Sequence, residues 1–458
     1  MFTLFHTADW HLGQSFHNYD RHEEHAAFLK WLRQQLQDHQ PDALIIAGDI
    51  FDTINPSAKA TKLYYEFLAH VRAELPQLHL VITAGNHDSG SRLEAPADLL
   101  SALHISVIGT VQKDEAGNID LNRLLVPLST PSGQLQAVVI AMPFLRPSDV
   151  PRLPEAKDAY IEGIADLYQQ AYAAAEKYRA KADVPIIAIG HCHVQGGKES
   201  TDSERRITIG GAEALSTTAF PPNAAYVALG HLHKAQKFES KRICYSGSPI
   251  PLSFSERSYE HRILKASFDQ ASLKEVQDLL IPTSVPLLTI PPKPASLNDV
   301  LLQLEELPIC PNARPLESGN TSATKASKKK QKANKPNTKA DEFKTDATLT
   351  HSSPATDVGP AAFLEVRILN DGPDPTRCRQ IEDALQDKHV RLASIKLASP
   401  PRSDSEEPDD AVLSLDQLQT LNPEDIFISA YKEKYADTPE NDVLDAFRTI
   451  MTELETNQ

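Results

Sequence analysis

A chain of 458 residues is long enough for two or three domains and a large core, and its 41% hydrophobic and 24% charged residues are ordinary for a soluble globular protein. No apolar run approaches a membrane span, and metal-ligand residue types at positions 9 and 11 leave no room for a cleavable signal, so a cytoplasmic protein with no membrane partner is expected. The net charge of −16 repels nucleic acid in general, so any affinity for DNA must be local or supplied by a partner. Four widely spaced cysteines with no C-x-x-C pair argue against a thiolate zinc module or a disulfide framework.

In chain order, residues 2–8 read as a buried strand leading into Asp9-Trp10-His11. A helix over 20–37 carries Phe28, Leu29, Leu32 and Leu36 on one face. The run 43–47 leads into Gly48-Asp49-Ile50-Phe51-Asp52, and a second helix over 57–74 presents Leu63, Phe67, Leu68 and Val71. Residues 78–83 lead into Ala84-Gly85-Asn86-His87-Asp88, followed by a third helix over 92–103 and a fourth over 159–181. The run 185–189 precedes Gly190-His191-Cys192-His193, and 226–229 precedes Gly230-His231-Leu232-His233. From Arg205 onward strand-like runs lie closer together, at 206–209, 226–229, 242–245 and 262–268, which predicts a second sheet facing the first in an α/β sandwich.

Proline density rises at 281–282 and through 286–294, and a domain boundary is placed there. A helix over 300–307 and a strand, helix and strand over 363–369, 377–385 and 390–397 predict a small α+β domain spanning 281–400. It is interrupted at 312–360 by a segment rich in Ser, Thr, Ala, Pro and Lys, which cannot bury enough surface to order itself and reads as a disordered, solvated insertion, with contact of its basic run 325–339, around Lys328-Lys329-Lys330, to DNA phosphates as the alternative. After an acidic linker at 399–410, residues 411–458 read as a helical segment. Its apolar positions, among them Leu413, Leu421, Phe427 and Tyr431, need a surface to pack on, here assigned to a partner.

The recurring pattern is a strand followed by metal-ligand residue types. Five such strands side by side would bring Asp9, His11, Asp49, Asn86, His191, His231 and His233 to one edge of a sheet, where α/β proteins carry their sites. Taken singly, an Asp or His at a strand end is a turn residue or a satisfied surface group; seven at five strand ends are hard to explain that way. Two divalent ions about 4 Å apart can clamp the attacking and leaving oxygens of a phosphoryl displacement. Asp49, with two carboxylate oxygens, suits a bridging position. Asp9 and His11 can chelate one ion, Asn86 and His191 the other, and His231 and His233 can give one ligand to each. This oxygen and nitrogen set favours manganese, iron or zinc in an open site. His87 is placed to protonate the leaving oxygen, with Asp52, or alternatively Asp88, holding its imidazole. His193 and His6 read as supporting or structural residues, and Cys192 as a small buried apolar one.

Asp9-x-His11, Gly48-Asp49, Gly85-Asn86-His87-Asp88, Gly190-His191 and Gly230-His231-x-His233 together resemble the calcineurin-like metallophosphoesterases. The runs Thr7 to Gly13, Ala47 to Asp52 and Tyr245 to Phe254 are similar to those of the nuclease subunits of bacterial DNA-end-processing complexes. The resemblance implies two mixed β-sheets flanked by helices over 1–280, followed by a small capping domain and a C-terminal helical segment. It implies a manganese-dependent nuclease, exonuclease on duplex ends and endonuclease on single strands and hairpins, forming a homodimer bound to a long coiled-coil ATPase. It assigns Asp9, His11, Asp49 and His233 to one ion, Asp49, Asn86, His191 and His231 to the other, and the proton donor to His87. A small-substrate phosphodiesterase or phosphatase with the same metals, and a non-catalytic DNA-end scaffold, are the competing readings; the helical tail and capping segment weigh against the first and the complete ligand set against the second.

Overall fold

The computed structural model describes residues 1–309 and 360–398, apart from 116, 152, 154, 155, 157, 201, 202, 205–213, 371 and 373, together with a few positions between 427 and 444. Met1–Ser399 form one compact unit and Pro400–Gln458 a second. The expected strand at 206–209, the insertion, the acidic linker and most of the C-terminal helical segment lie outside the described residues. No helix among those described is long and apolar enough to cross a membrane.

The chain begins with β1 (Phe2–Thr7), the hairpin β2 (Ser15–Phe16) and β3 (Tyr19–Asp20), α1 (His22–His39), β4 (Ala43–Ala47), α2 (Ala58–Glu74) and β5 (His79–Thr83). Then come α3 (Gly90–Glu94), α4 (Ala97–Ser101), β6 (Ile105–Ile108), β7 (Leu125–Ser129), β8 (Leu135–Ala141), α5 (Ala159–Arg179), β9 (Ile186–His191) and β10 (Tyr226–Gly230). The first unit closes with β11 (Gln236–Phe238), β12 (Ile243–Tyr245), β13 (Arg262–Asp269), β14 (Ser272–Leu280), β15 (Leu287–Ala295), α6 (Leu297–Glu305), β16 (Ala362–Leu369), α7 (Arg377–Leu385) and β17 (Val390–Ala398). Helix starts follow local chemistry: the side chain of Ser57 accepts the Ala60 N–H, that of Asp158 accepts those of Tyr160 and Ile161, and that of Ser296 accepts that of Asp299.

Two six-stranded mixed sheets form the body, in the orders β14-β13-β1-β4-β5-β6 and β11-β12-β10-β9-β8-β7. The ligand-bearing strand ends are therefore not on one sheet edge, as their common pattern implied. β1, β4 and β5 run parallel in the first sheet, and β9 and β10 run parallel in the second. Alternation along each strand sorts the side chains. Leu4, Ala43, Ile45, Ala47 and Val81 join Val138, Ile140, Ala188 and Ala228 of the second sheet in the core between the layers. Phe5, Leu44, Ile46, Leu80 and Ile82 face the other way, onto Phe28, Leu29 and Leu32 of α1 and Tyr64, Phe67 and Leu68 of α2.

Three expectations change here. The strand at 262–268 belongs to the first sheet, where β13 pairs antiparallel with β1 and Phe2 faces Phe268. The second sheet begins well before Arg205, at β7 and β8; β7 carries Pro127 and takes an edge, where a missing N–H is tolerated. The expected helix over 92–103 is two short ones separated at Pro96, whose ring and missing N–H break a helix interior.

A third sheet, β15-β16-β17, is all parallel and carries α6 and α7, whose Val300, Leu304, Ile381 and Leu385 are buried against Leu364, Val366 and Ile368. It meets the body through Phe363, which is fully buried among Phe16, Phe254 and Val285. The Phe363 ring centroid lies 5.1 Å from Phe16 and 5.4 Å from Tyr19, with the Arg21 guanidinium 5.4 Å from its centre. Phe363→Ala removes this plug, and truncating a buried aromatic costs about 3–5 kcal/mol. Denaturant unfolding should show a loss of that size; a loss below about 1 kcal/mol would mean that Phe363 does not hold the third sheet to the body.

Candidate metal centre

The loops at the ends of β1 and β4 are laced together: the Asp9 N–H donates to the Gly48 carbonyl at 3.1 Å and the His11 N–H to that of Asp49 at 3.0 Å. Asp9, His11 and Asp49 all take left-handed backbone, with φ of 54°, 46° and 49°. Such conformations are uncommon for residues with a Cβ and persist where surrounding contacts over-determine them. Trp10 supplies one such contact. It points into the helix-side core, fully buried, edge-on to Phe28 and Phe67, with its indole N–H on Thr7 Oγ1 at 3.0 Å.

Two glycines make the convergence sterically feasible. A Cβ on Gly48 would lie 2.2 Å from His191 Nδ1, and one on Gly85 would lie 2.1 Å from Asp49 Oδ1. Asp88 braces the β5 loop: its carboxylate accepts the N–H groups of Gly85 (2.9 Å), Ile50 (3.1 Å) and Phe51 (2.9 Å). Asp88 is thus committed to the backbone.

The seven expected ligands meet at one point. Asp49 Oδ2 lies 3.3 Å from His191 Nε2 and 3.6 Å from His11 Nε2, while Asp49 Oδ1 accepts the His87 N–H at 2.8 Å. Asn86 Oδ1 lies 2.9 Å from His191 Nε2 and 3.2 Å from His231 Nδ1. Asp9 Oδ1 accepts the His231 N–H at 2.8 Å. Donor atoms of Asp9, His11 and His233 fall within 4.8 Å of one another, as do those of Asp9, Asp49 and His191, and those of His11, Asp52 and His87.

His87 Nδ1 lies 2.8 Å from a backbone carbonyl, that of Asp52, whereas the Asp52 carboxylate lies 3.2 Å from His11 Nδ1. Asp52, expected to hold the His87 imidazole, meets His87 Nδ1 through its carbonyl, and its carboxylate lies within 4.8 Å of ring nitrogens of both His11 and His87. His193 turns away to Glu199 at 2.9 Å, and His6 is locked between Tyr226 Oη and the Leu229 carbonyl, at 3.0 and 3.2 Å. Burial pushes the Cys192 thiol up to about 12.

Two acidic residues went unnoticed in the sequence. His233 Nδ1 meets Glu256 Oε1 at 2.9 Å, and the His233 N–H donates to Glu204 Oε1 at 2.7 Å. Glu256 lies two residues beyond the run Tyr245 to Phe254, and a metal-ligating histidine usually has a carboxylate or carbonyl behind it. That requirement was the available signal.

The charges at this centre favour a cation. Burial pushes Asp9 up to about 6, against the pull of His191 and His233. Burial also opposes the charge of Asp49, yet His191, His11 and His87 hold its carboxyl well below the usual range. Desolvation works against protonated His191 and His233, but Asp49 lifts the first and Glu256 the second to about 9. Asp9 Oδ2 and His11 Nε2 are buried without a hydrogen-bond partner. Orphaned donor atoms inside a buried cluster that stabilises positive charge fit a divalent ion.

A family model for the calcineurin-like phosphoesterases matches residues 2–235, and a model described as the type 5 capsule protein repressor C-terminal domain matches residues 345–435. Among similar proteins, the SbcD component of the SbcCD nuclease of Rhodobacter capsulatus is 43% identical over 309 residues, 66% of this chain and 75% of that protein. Its namesake in Escherichia coli K12 is 38% identical over 312 residues, 66% of this chain and 73% of that one, and the Bacillus subtilis 168 protein of the same name is 35% identical over 294 residues, 62% and 71% of the two chains. The chain belongs to the calcineurin-like phosphoesterases and, within them, to the SbcD family of nuclease subunits.

Asp49→Asn takes a negative charge from between His11 and His191. Loss of an outer partner of a ligand typically weakens metal affinity about 10–100-fold, and loss of Asp49 should exceed that in a manganese titration by calorimetry. Wild-type affinity and stoichiometry in the variant would remove Asp49 from the ligand set.

Proposed function

We propose that the chain is a metal-dependent DNA nuclease that cuts duplex ends exonucleolytically and single strands and hairpins endonucleolytically, acting with an SbcC-type ATPase in the repair, recombination and replication of DNA. The observation that carries the reading is Asp49 Oδ2 set between His11 Nε2 and His191 Nε2, within a chain that is 43% identical to a nuclease subunit. Asp9, His11, Asp49 and His233 hold one divalent ion and Asp49, Asn86, His191 and His231 the other, with manganese suited to the mixed oxygen and nitrogen donors. When bound, such ions lower the pKa of a water and neutralise the non-bridging oxygens of a phosphodiester.

The chain's own residues do the rest. Because His87 Nδ1 faces a carbonyl oxygen at 2.8 Å, that nitrogen carries the hydrogen, and Nε2 is the atom that delivers a proton to the departing oxygen. The Asp52 carboxylate stands within 4.8 Å of a ring nitrogen of His87. A cavity of about 370 Å³ opens at His87, His11 and Asp52 and is lined further by Gln14, His17 and, from β17, Lys396. An elongated substrate fits a cleft whose rim comes from two domains better than a small one does; Lys396 on that rim is paired with the buried Glu365 at 3.0 Å.

Residues 1–280 form the nuclease domain and 281–400 the cap in this reading, and 411–458 grip the coiled coil of the ATPase. The assembly is a homodimer of this chain within a heterotetramer, in the cytoplasm. The test is cleavage of a labelled duplex and a labelled hairpin with manganese, with and without SbcC, by wild type and His87→Ala. Removal of the acid should lower the rate about 100- to 10,000-fold with both ions still bound. Equal rates would move the proton donor elsewhere. Hydrolysis of a chromogenic phosphodiester without DNA cleavage would make the protein a small-substrate phosphodiesterase, and no hydrolysis of either a scaffold.

A further inference from the structure

We propose that Glu256 is a positioning residue for the ion held by His233, a role that rests on the two-ion reading above. Glu256 is fully buried. Its Oε1 lies 2.9 Å from His233 Nδ1, its Oε2 accepts the Leu252 N–H at 2.8 Å, and the Ser203 hydroxyl donates to it. A buried carboxylate with one backbone N–H and hydroxyls around it is costly unless a positive group faces it. The imidazole of His233 is that group, and its charge comes from a proton or from a bound cation.

The contact fixes the tautomer. With Nδ1–H given to the carboxylate, the lone pair of His233 resides on Nε2, the nitrogen left to join Asp9 and His11. The histidines of the centre are not backed alike. His191 Nδ1 rests on a neutral carbonyl, that of Ala47 at 2.9 Å, whereas a full negative charge stands behind His233. A carboxylate raises the basicity of the imidazole it touches, so Glu256 strengthens donation to one ion and leaves the other untouched.

The same carboxylate ties that ion to the rim of the cleft. Ser203, a cleft-lining residue, bonds to Glu256 and lies 3.2 Å from His233 Nδ1. Glu204 beside it takes the His233 N–H, so residues 203 and 204 hold this histidine by ring and backbone together.

The experiment is manganese binding by calorimetry to the full chain as wild type, Glu256→Gln and Glu256→Asp, with thermal unfolding in chelator and cleavage measured against manganese concentration. Glu256→Gln should weaken one of the two binding steps about 10–100-fold, leave the other unchanged, and regain its cleavage rate at raised manganese. Two unchanged steps, or two equally weakened steps with a lowered ion-free midpoint and no recovery by manganese, would overturn the proposal, the latter by making Glu256 a packing residue. Should Glu256→Gln not fold, Glu256→Asp decides: its shorter carboxylate must weaken one step, and wild-type binding overturns the role. Wild type that binds two ions yet cuts no DNA would sink the nuclease reading alone, because the binding steps are read without substrate.

Discussion

The structure turns on the burial of Asp49 between two sheets. Its carboxylate sits where the ends of β4, β5 and β9 converge, so close to backbone that Gly85 has no room for a methyl group and Gly48 none beside His191. A charge buried there is tolerable only because imidazoles and backbone N–H groups face it from several sides. Everything that positions those groups is thereby constrained: the left-handed turns at Asp9, His11 and Asp49, the lacing of the first two loops, and the clamp of Asp88 on three amides.

That constraint also explains why the supporting residues divide into two kinds. Trp10, His6 and Asp88 act on the shape of the loops and carry their polar atoms to groups of the protein itself, Thr7, Tyr226 and the backbone amides. Asp9 Oδ2 and His11 Nε2 are buried without such a partner. In an interior where buried polar atoms are almost always satisfied, orphaned atoms gathered at one point mark the place where something outside the chain completes the bonding.

The candidate ligands could be picked out of the sequence because strand periodicity is local. A buried strand ending in Asp or His can be read in a window of ten residues, and each of the five strands does end where its apolar run ends, within two residues. Which strands pair is not local. The division of the five ends between two sheets, and the return of β13 to pair with β1 across more than half the chain, depend on contacts that no window contains. Glu256 escaped notice for the same reason: nothing beside it in sequence shows that it reaches His233, 23 residues earlier. Asp52 was found by its spacing from Asp49, but spacing does not say which of its atoms meets His87 Nδ1, and the atom that does is its carbonyl oxygen.

A hairpin of six residues lines part of the cleft above the site. His17 and Asn18 both take positive φ, 48° and 70°, as a two-residue turn between twisted strands requires. The turn sends Phe16 and Tyr19 against Phe363 of the third sheet and leaves His17 lining the cleft opposite Lys396. Arg21, fully buried, lies 4.8 Å over Phe16 and 5.4 Å over Phe363, its charge met by Glu24 and by the Pro251 carbonyl at 2.9 Å. Because the Pro251 segment leads directly to the Leu252 amide that holds Glu256, the docking of the third sheet and the seating of His233 share one stretch of backbone. Residues 251–256 thus bear both on Arg21, which stacks against Phe363 of the third sheet, and on Glu256, which faces His233.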